Sequence, residues 1–140
     1  MTTLLKLDTK KNNGVLFDNK NKVIKKFYLK NKNFNREFDG YKWYLSKLNK
    51  KILLEKKFNS FLLPVFKGKN FNFWQKLIFE TQIVEKVIEH YKYYWPKKKY
   101  VPYHGDLTIE NIIFLKKKEP VFIDWEHFRK KEEWGLDISY

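Results

Sequence analysis

The chain has no cysteine and no alanine, and only five glycines, four prolines, one methionine and two arginines in 140 residues. Without cysteine it forms no disulfide and no thiolate metal site, a composition that suits a reducing compartment. No run approaches the roughly 18 apolar residues of a membrane span, so no spanning segment is expected. Residues 1–12 lack the apolar core of a signal peptide, and a cytoplasmic protein is the expectation. Linkers rich in Pro, Gly or Ser are missing, as are internal repeats.

What is present is charge and aromatic surface. Thirty basic residues against sixteen acidic ones give a formal charge of +14, with 43% hydrophobic and 19% aromatic residues. The length fits one domain or two small lobes. So basic a chain invites a nucleic-acid reading. Against it, only Arg36 and Arg129 are arginines, and the lysines are scattered: Lys50-Lys51, Lys56-Lys57, Lys97 to Lys99, Lys116 to Lys118, Lys130-Lys131. Residues with A/T-rich codons dominate, so genome composition accounts for much of the basicity. Nucleic acid is therefore not the expected partner, though a positive field also favours a nucleotide.

Hydrophobic periodicity gives an α+β order. Leu4 to Asp8, Gly14 to Asp18 and Val23 to Leu29 read as strands, with Asn12-Asn13-Gly14 as the first turn and Asn19-Lys20-Asn21 as the second. Phe34 to Leu48 reads as a helix on the recurrence of Phe34, Phe38, Tyr41, Tyr44, Leu45 and Leu48. A lysine-rich connection follows. Phe61 to Phe66 and Phe71 to Glu80 read as strands around a turn at Lys67-Gly68-Lys69-Asn70, and Pro64 demotes the first to an edge. Thr81 to Tyr94 reads as a helix with Thr81 as N-cap, Pro96 ending it, and a stripe at Ile83, Val84, Val87, Ile88 and Tyr91. Tyr100 to Tyr103, Ile112 to Leu115 and Pro120 to Ile123 are further extended segments, the last two paired around Lys116-Lys117-Lys118.

The chemistry-bearing residues sit in the last third. His104-Gly105-Asp106-Leu107-Thr108-Ile109-Glu110-Asn111 is followed by Val121-Phe122-Ile123-Asp124-Trp125-Glu126, with Asn111 five residues and Asp124 eighteen residues after Asp106. His104, Gly105, Asp106 and Asn111 together should match by chance in roughly one chain in a thousand of this size. A polar turn between strands is the plain alternative. Phosphoryl transfer needs a carboxylate by the acceptor hydroxyl, and an Asn and a second Asp on the metal of the nucleotide.

The segment resembles the HGDxxxxN…IDxE signature of kinase-like small-molecule phosphotransferases, the aminoglycoside phosphotransferase and choline kinase group. The resemblance implies a two-lobed protein-kinase-like fold with a minimal or truncated C-lobe. Its N-lobe would span residues 1–80, an antiparallel sheet plus one helix. The reduced C-lobe would span 81–140 with the catalytic and metal loops. It implies transfer of the γ-phosphate of ATP, with Mg²⁺, to a hydroxyl of a small molecule such as a sugar or amino alcohol. Asp106 would orient or deprotonate the acceptor, Asn111 and Asp124 would hold the metal, and Glu126 would add charge to it or support it. His104 would brace the loop and Gly105 would let it turn.

In the N-lobe the resemblance asks for a strand lysine paired with a helix glutamate to position the phosphates. Lys25 and Glu37 are the expected pair, with Lys26 the rival because neighbouring strand residues face opposite ways. Glu80, Thr81 and Gln82 would form the hinge that meets adenine, with Phe79 behind it. Gly14 stands alone, so no glycine-rich phosphate loop is present. Trp134-Gly135-Leu136-Asp137-Ile138 resembles the segment whose Asp braces the catalytic loop, one residue closer than usual; an Asp opening a helix is the alternative. Such proteins are usually longer. A fragment, a minimal enzyme, or a site completed by a partner subunit or, in a homo-oligomer, by a second copy is therefore the expectation, with Trp125, Phe128 and Trp134 as an apolar surface for such a partner and Trp134 alternatively a core residue. A non-catalytic kinase-like nucleotide-binding module and a basic nucleic-acid-binding protein are the competing readings.

Overall fold

The structure, a computed structural model, describes residues 2–10, 13–29, 31–48, 59–70, 73–116 and 119–138. The chain is mixed α+β, with two helices and antiparallel sheets among those residues. It divides into two compact units, Met1–Val65 and Phe66–Tyr140.

The first unit is a four-stranded antiparallel sheet with one helix. Strands β1 (Thr2–Asp8), β2 (Asn13–Asp18), β3 (Val23–Tyr28) and β4 (Ser60–Pro64) lie side by side in that order. The position of Pro64 on an edge strand agrees with its missing N–H. Helix α1 (Asn31–Lys47) buries Phe34, Phe38, Tyr41, Tyr44 and Leu45 at helical spacing. With no alanine to fill gaps, the core is made of rings. Phe34, Phe38 and Tyr41 surround Phe61 of β4 at centroid distances of 5.6–6.2 Å. Such ring pairs contribute about 0.5–1.5 kcal/mol each beyond their buried area.

The second unit holds helix α2 (Phe73–Tyr94), a three-stranded sheet of β5 (Gly68–Lys69), β7 (Ile112–Leu115) and β8 (Pro120–Phe122), and a two-stranded ribbon of β6 (Tyr100–Tyr103) and β9 (Arg129–Glu133). Tyr91 and Trp95 stack at 4.5 Å, and Trp95 stacks on Trp125 at 6.1 Å. Trp125 and Phe128 are core residues, 0% and 5% exposed, which corrects the expectation that they form an exposed partner surface.

Three element readings are corrected. The expected strand over 71–80 is instead the start of α2, which runs through Glu80 and Thr81 without a break. Leu, Ile and Phe in a short apolar run suit either state. Thr81 is thus an interior residue and not a cap, and the expected boundary at 80/81 falls within α2. The Lys67–Asn70 turn contains β5, paired with β7. Strand β9 was not expected, because Arg-Lys-Lys-Glu-Glu carries no apolar alternation. The connection over 49–58, Asn12 of the first turn, Phe71, and Lys117 and Lys118 lie outside the described residues.

Candidate functional site

Strand β6 leads directly into His104, which is fully buried against Trp125 at 4.4 Å. Its Nδ1 accepts a hydrogen bond from the Asp106 backbone N–H at 3.3 Å, and its Nε2 lies 2.9 Å from the Ile123 carbonyl. An acceptor Nδ1 requires the proton on Nε2, which then donates to Ile123. Burial pushes the imidazole pKa down to about 4, consistent with that neutral tautomer. His104 therefore braces the loop from within, as expected.

Gly105 has φ +87°, and a Cβ there would come within 2.7 Å of both Cβ and the carbonyl oxygen of His127. Only glycine meets both demands. Asp106 follows, half-buried. The Asn111 Nδ2 donates to the Asp106 backbone carbonyl at 2.8 Å and to its Oδ2 at 3.0 Å. A short 3₁₀ turn over Ile109–Asn111 brings the amide back to the aspartate. Asp106 Oδ1 and Asn111 Oδ1 have no hydrogen-bond partner among the described residues.

The β7–β8 hairpin closes the arrangement. Ile112 pairs with Phe122, and the Ile123 N–H donates to the Asn111 carbonyl at 2.9 Å. Ile123 is thus tied on one side to Asn111 and on the other to His104. Asp124 comes next, with φ +64°, a left-handed conformation that Asp tolerates better than most residues. Glu126 is buried, with Oε1 3.5 Å from Nε2 of the exposed His127.

Asp137 holds the loop from the other side. Its Oδ2 accepts from the His104 N–H at 2.8 Å and its Oδ1 from the Gly105 N–H at 3.0 Å. The carboxylate borders an apolar cavity of about 130 Å³ lined by Ile83, Val87, Leu107, Ile109 and Ile138. Burial raises its pKa to about 6, against the two N–H bonds that favour the ionised form.

In the first unit the buried pair is Lys26 with Glu37, not Lys25 with Glu37. Strand parity decides this. Lys26 shares the buried face of β3 with Tyr28, and Glu37 sits among Phe34, Phe38 and Tyr41 on the buried face of α1. Lys25 points to the opposite face. Glu80 and Gln82 lie inside α2, so the extended hinge expected there is not formed.

The loop thus joins Asp106 to Asn111, with Asp124 one residue beyond the Ile123–Asn111 bond and Glu126 two residues further along the chain. The donors are a carboxamide and carboxylates, the hard oxygen set that suits Mg²⁺. Among the described residues no group of three or more His, Asp or Glu forms a metal cluster. An ion held here would take its other ligands from phosphate or water, as Mg²⁺ commonly does. No family model matches the chain, and no curated protein matches it.

Proposed function

We propose that this chain is an ATP- and Mg²⁺-dependent phosphotransferase that moves the γ-phosphate to a hydroxyl of a small molecule, on a two-lobed kinase-like fold. The observation that carries the proposal is the loop in which Asn111 holds the Asp106 carboxylate and is itself bonded to Ile123, the residue before Asp124. Asp106 and Asn111 are thereby held side chain to side chain, and the backbone leading into Asp124 is tied to the same asparagine. A buried Lys26–Glu37 pair in the first unit gives independent support, since an ion pair of strand and helix is what phosphate positioning requires.

Each residue has a defined task. Asp106 keeps Oδ2 on Asn111 and offers Oδ1 to the acceptor hydroxyl, aligning it and receiving its proton as the bond to phosphorus forms. Asn111 offers its amide oxygen, and Asp124 its carboxylate, to the metal. The bound ion would neutralise charge on the transferring group. Lys26 meets the phosphates while Glu37 fixes its position. His104 and Asp137 position the loop and touch no reactant. A cytoplasmic site of action, where ATP is supplied, accompanies this reading.

A thermal-shift titration of the wild type and two variants tests it. ATP with Mg²⁺ is expected to stabilise the fold, by about 2.7 kcal/mol at roughly 100 times the dissociation constant, and ATP with EDTA far less. Asp106→Asn should keep that stabilisation and lower phosphoryl transfer by about 10²- to 10⁴-fold. Asp124→Ala should lose the metal-dependent part of both. An unchanged melting temperature across a millimolar titration would refute the nucleotide site. Full binding without turnover on any sugar or amino alcohol would leave a nucleotide-binding module instead.

A further inference from the structure

The four-stranded sheet of the first unit carries apolar side chains on both faces. Toward α1 it presents Lys26, Tyr28, Phe61 and Leu63, all buried. On the opposite face, strand register sets out the rows Leu4–Leu16–Lys25–Leu62 and Leu7–Gly14–Phe27–Ser60. The Phe27 ring crosses Gly14, within 2.3 Å of where a Cβ would stand. An antiparallel sheet with one face on a core usually turns polar side chains to water on the other. Here edge strand β1 instead exposes Leu4, Leu5 and Leu7 by 54%, 57% and 55%. Leu5 falls at a register irregularity between Leu4 and Lys6.

The same unit carries most of the charge. Residues 1–65 hold 16 of the 30 basic and 5 of the 16 acidic residues, +11 of the total +14. Lys6, Lys10, Lys20 and Lys22 are exposed on β1 and on the turns at its two ends, and Lys25 lies on the leucine-bearing face itself.

Three occupants can be weighed. A second copy would satisfy the leucines but bring together two chains of +14, which repel. A nucleic acid would satisfy the lysines but not the leucines, and it is usually met by arginine and stacking aromatics, which this face lacks apart from half-buried Phe27. An anionic bilayer satisfies both, because leucines bury apolar surface at the headgroup boundary while lysines meet the negative surface.

We propose that the exposed β1 edge of this sheet docks on an anionic lipid bilayer, with the β1 leucines entering the interface and the surrounding lysines on the headgroups. The inference is independent of the phosphotransferase reading. The test is co-sedimentation of the full chain with phosphatidylcholine vesicles, pure or mixed with phosphatidylglycerol. At low salt, binding to the mixed vesicles should exceed binding to the neutral ones at least about tenfold and fall as salt rises. Leu4→Ser with Leu7→Ser should weaken it at least about tenfold, and Leu4→Phe with Leu7→Phe should retain it. Circular dichroism checks that each variant is folded. Should the serine pair unfold, Lys20→Glu with Lys22→Glu gives the second reading, again with loss expected. Equal binding to both vesicle types, binding to neither, or wild-type binding by a folded serine pair would overturn the proposal. So would a single-stranded oligonucleotide that displaces vesicles and binds the serine pair undiminished.

Discussion

Lys25 and Lys26 are neighbours in the chain with opposite surroundings. Lys26 is buried and paired with the fully buried Glu37, whereas Lys25 faces away. Removing one partner of a buried pair strands the other charge, which costs about 3–5 kcal/mol. Lys26→Met should therefore lower stability by that amount in urea titrations and abolish the nucleotide-dependent thermal shift. Lys25→Met should change stability by no more than about 0.5 kcal/mol. Combining Lys26→Met with Glu37→Leu should recover much of the stability and none of the nucleotide binding, which separates folding from function. Equal effects of the two single variants would remove Lys26 from the site. Sequence alone could not choose between these lysines, because Ile24 and Tyr28 flank one and Val23 and Phe27 flank the other with similar hydrophobicity.

At the scale of elements, the loop after β6 is held by hydrogen bonds from three directions: Asn111 within it, Ile123 from the β8 end, and Asp137 from the turn near residue 137. Asp137→Ala would leave the N–H groups of His104 and Gly105 without their acceptor in a buried place. Each such loss costs about 1–3 kcal/mol. A fall of roughly 2–6 kcal/mol in urea unfolding is expected, with Asp137→Asn in between because it keeps one acceptor. In the proposed reading transfer should fall more than nucleotide affinity, since Asp106 loses its position while the Ile123–Asn111 bond that precedes Asp124 remains. The contact between Asp106 and Asn111 was legible in the sequence, because a five-residue step through a tight turn brings the two side chains together. The strands and α1 were legible from side-chain period. The first turns of α2 were not, because Phe, Ile and Leu suit a strand as well as a helix over so short a run. Strand β9 was hidden for another reason: it is specified by pairing with β6 and not by burial of its own side chains.

Across the whole molecule, three buried titratable groups set the response to acid. His90 and His104 have pKa values pushed down to about 4 by burial. Below about pH 6.5 the unfolded chain binds two protons that the folded chain refuses, so stability falls as pH falls. Asp137, raised to about 6, acts in the opposite sense: the folded chain takes its proton first, which offsets part of the loss between pH 6 and 4. One pKa unit corresponds to about 1.36 kcal/mol. The net expectation is a loss of about 3 kcal/mol from pH 7 to pH 4, read from urea midpoints along a pH series. His90→Gln removes one histidine contribution and should leave the curve nearly flat. Retention of the full slope by that variant would place the acid response elsewhere.

The bond between the Ile123 N–H and the Asn111 carbonyl has a consequence for descent. It makes the distance in space between the two aspartates a matter of strand register, Ile112 opposite Phe122, and not of residues counted along the chain. Residues added beyond Leu115, where the hairpin turns back, lengthen a loop whose closure costs only about 0.6 kcal/mol per doubling. A single residue added within β7 would instead turn every later side chain of the strand to the other face. A lineage carrying this loop would therefore tolerate drift in the spacing of eighteen but not in the five-residue step from Asp106 to Asn111, which no hairpin absorbs.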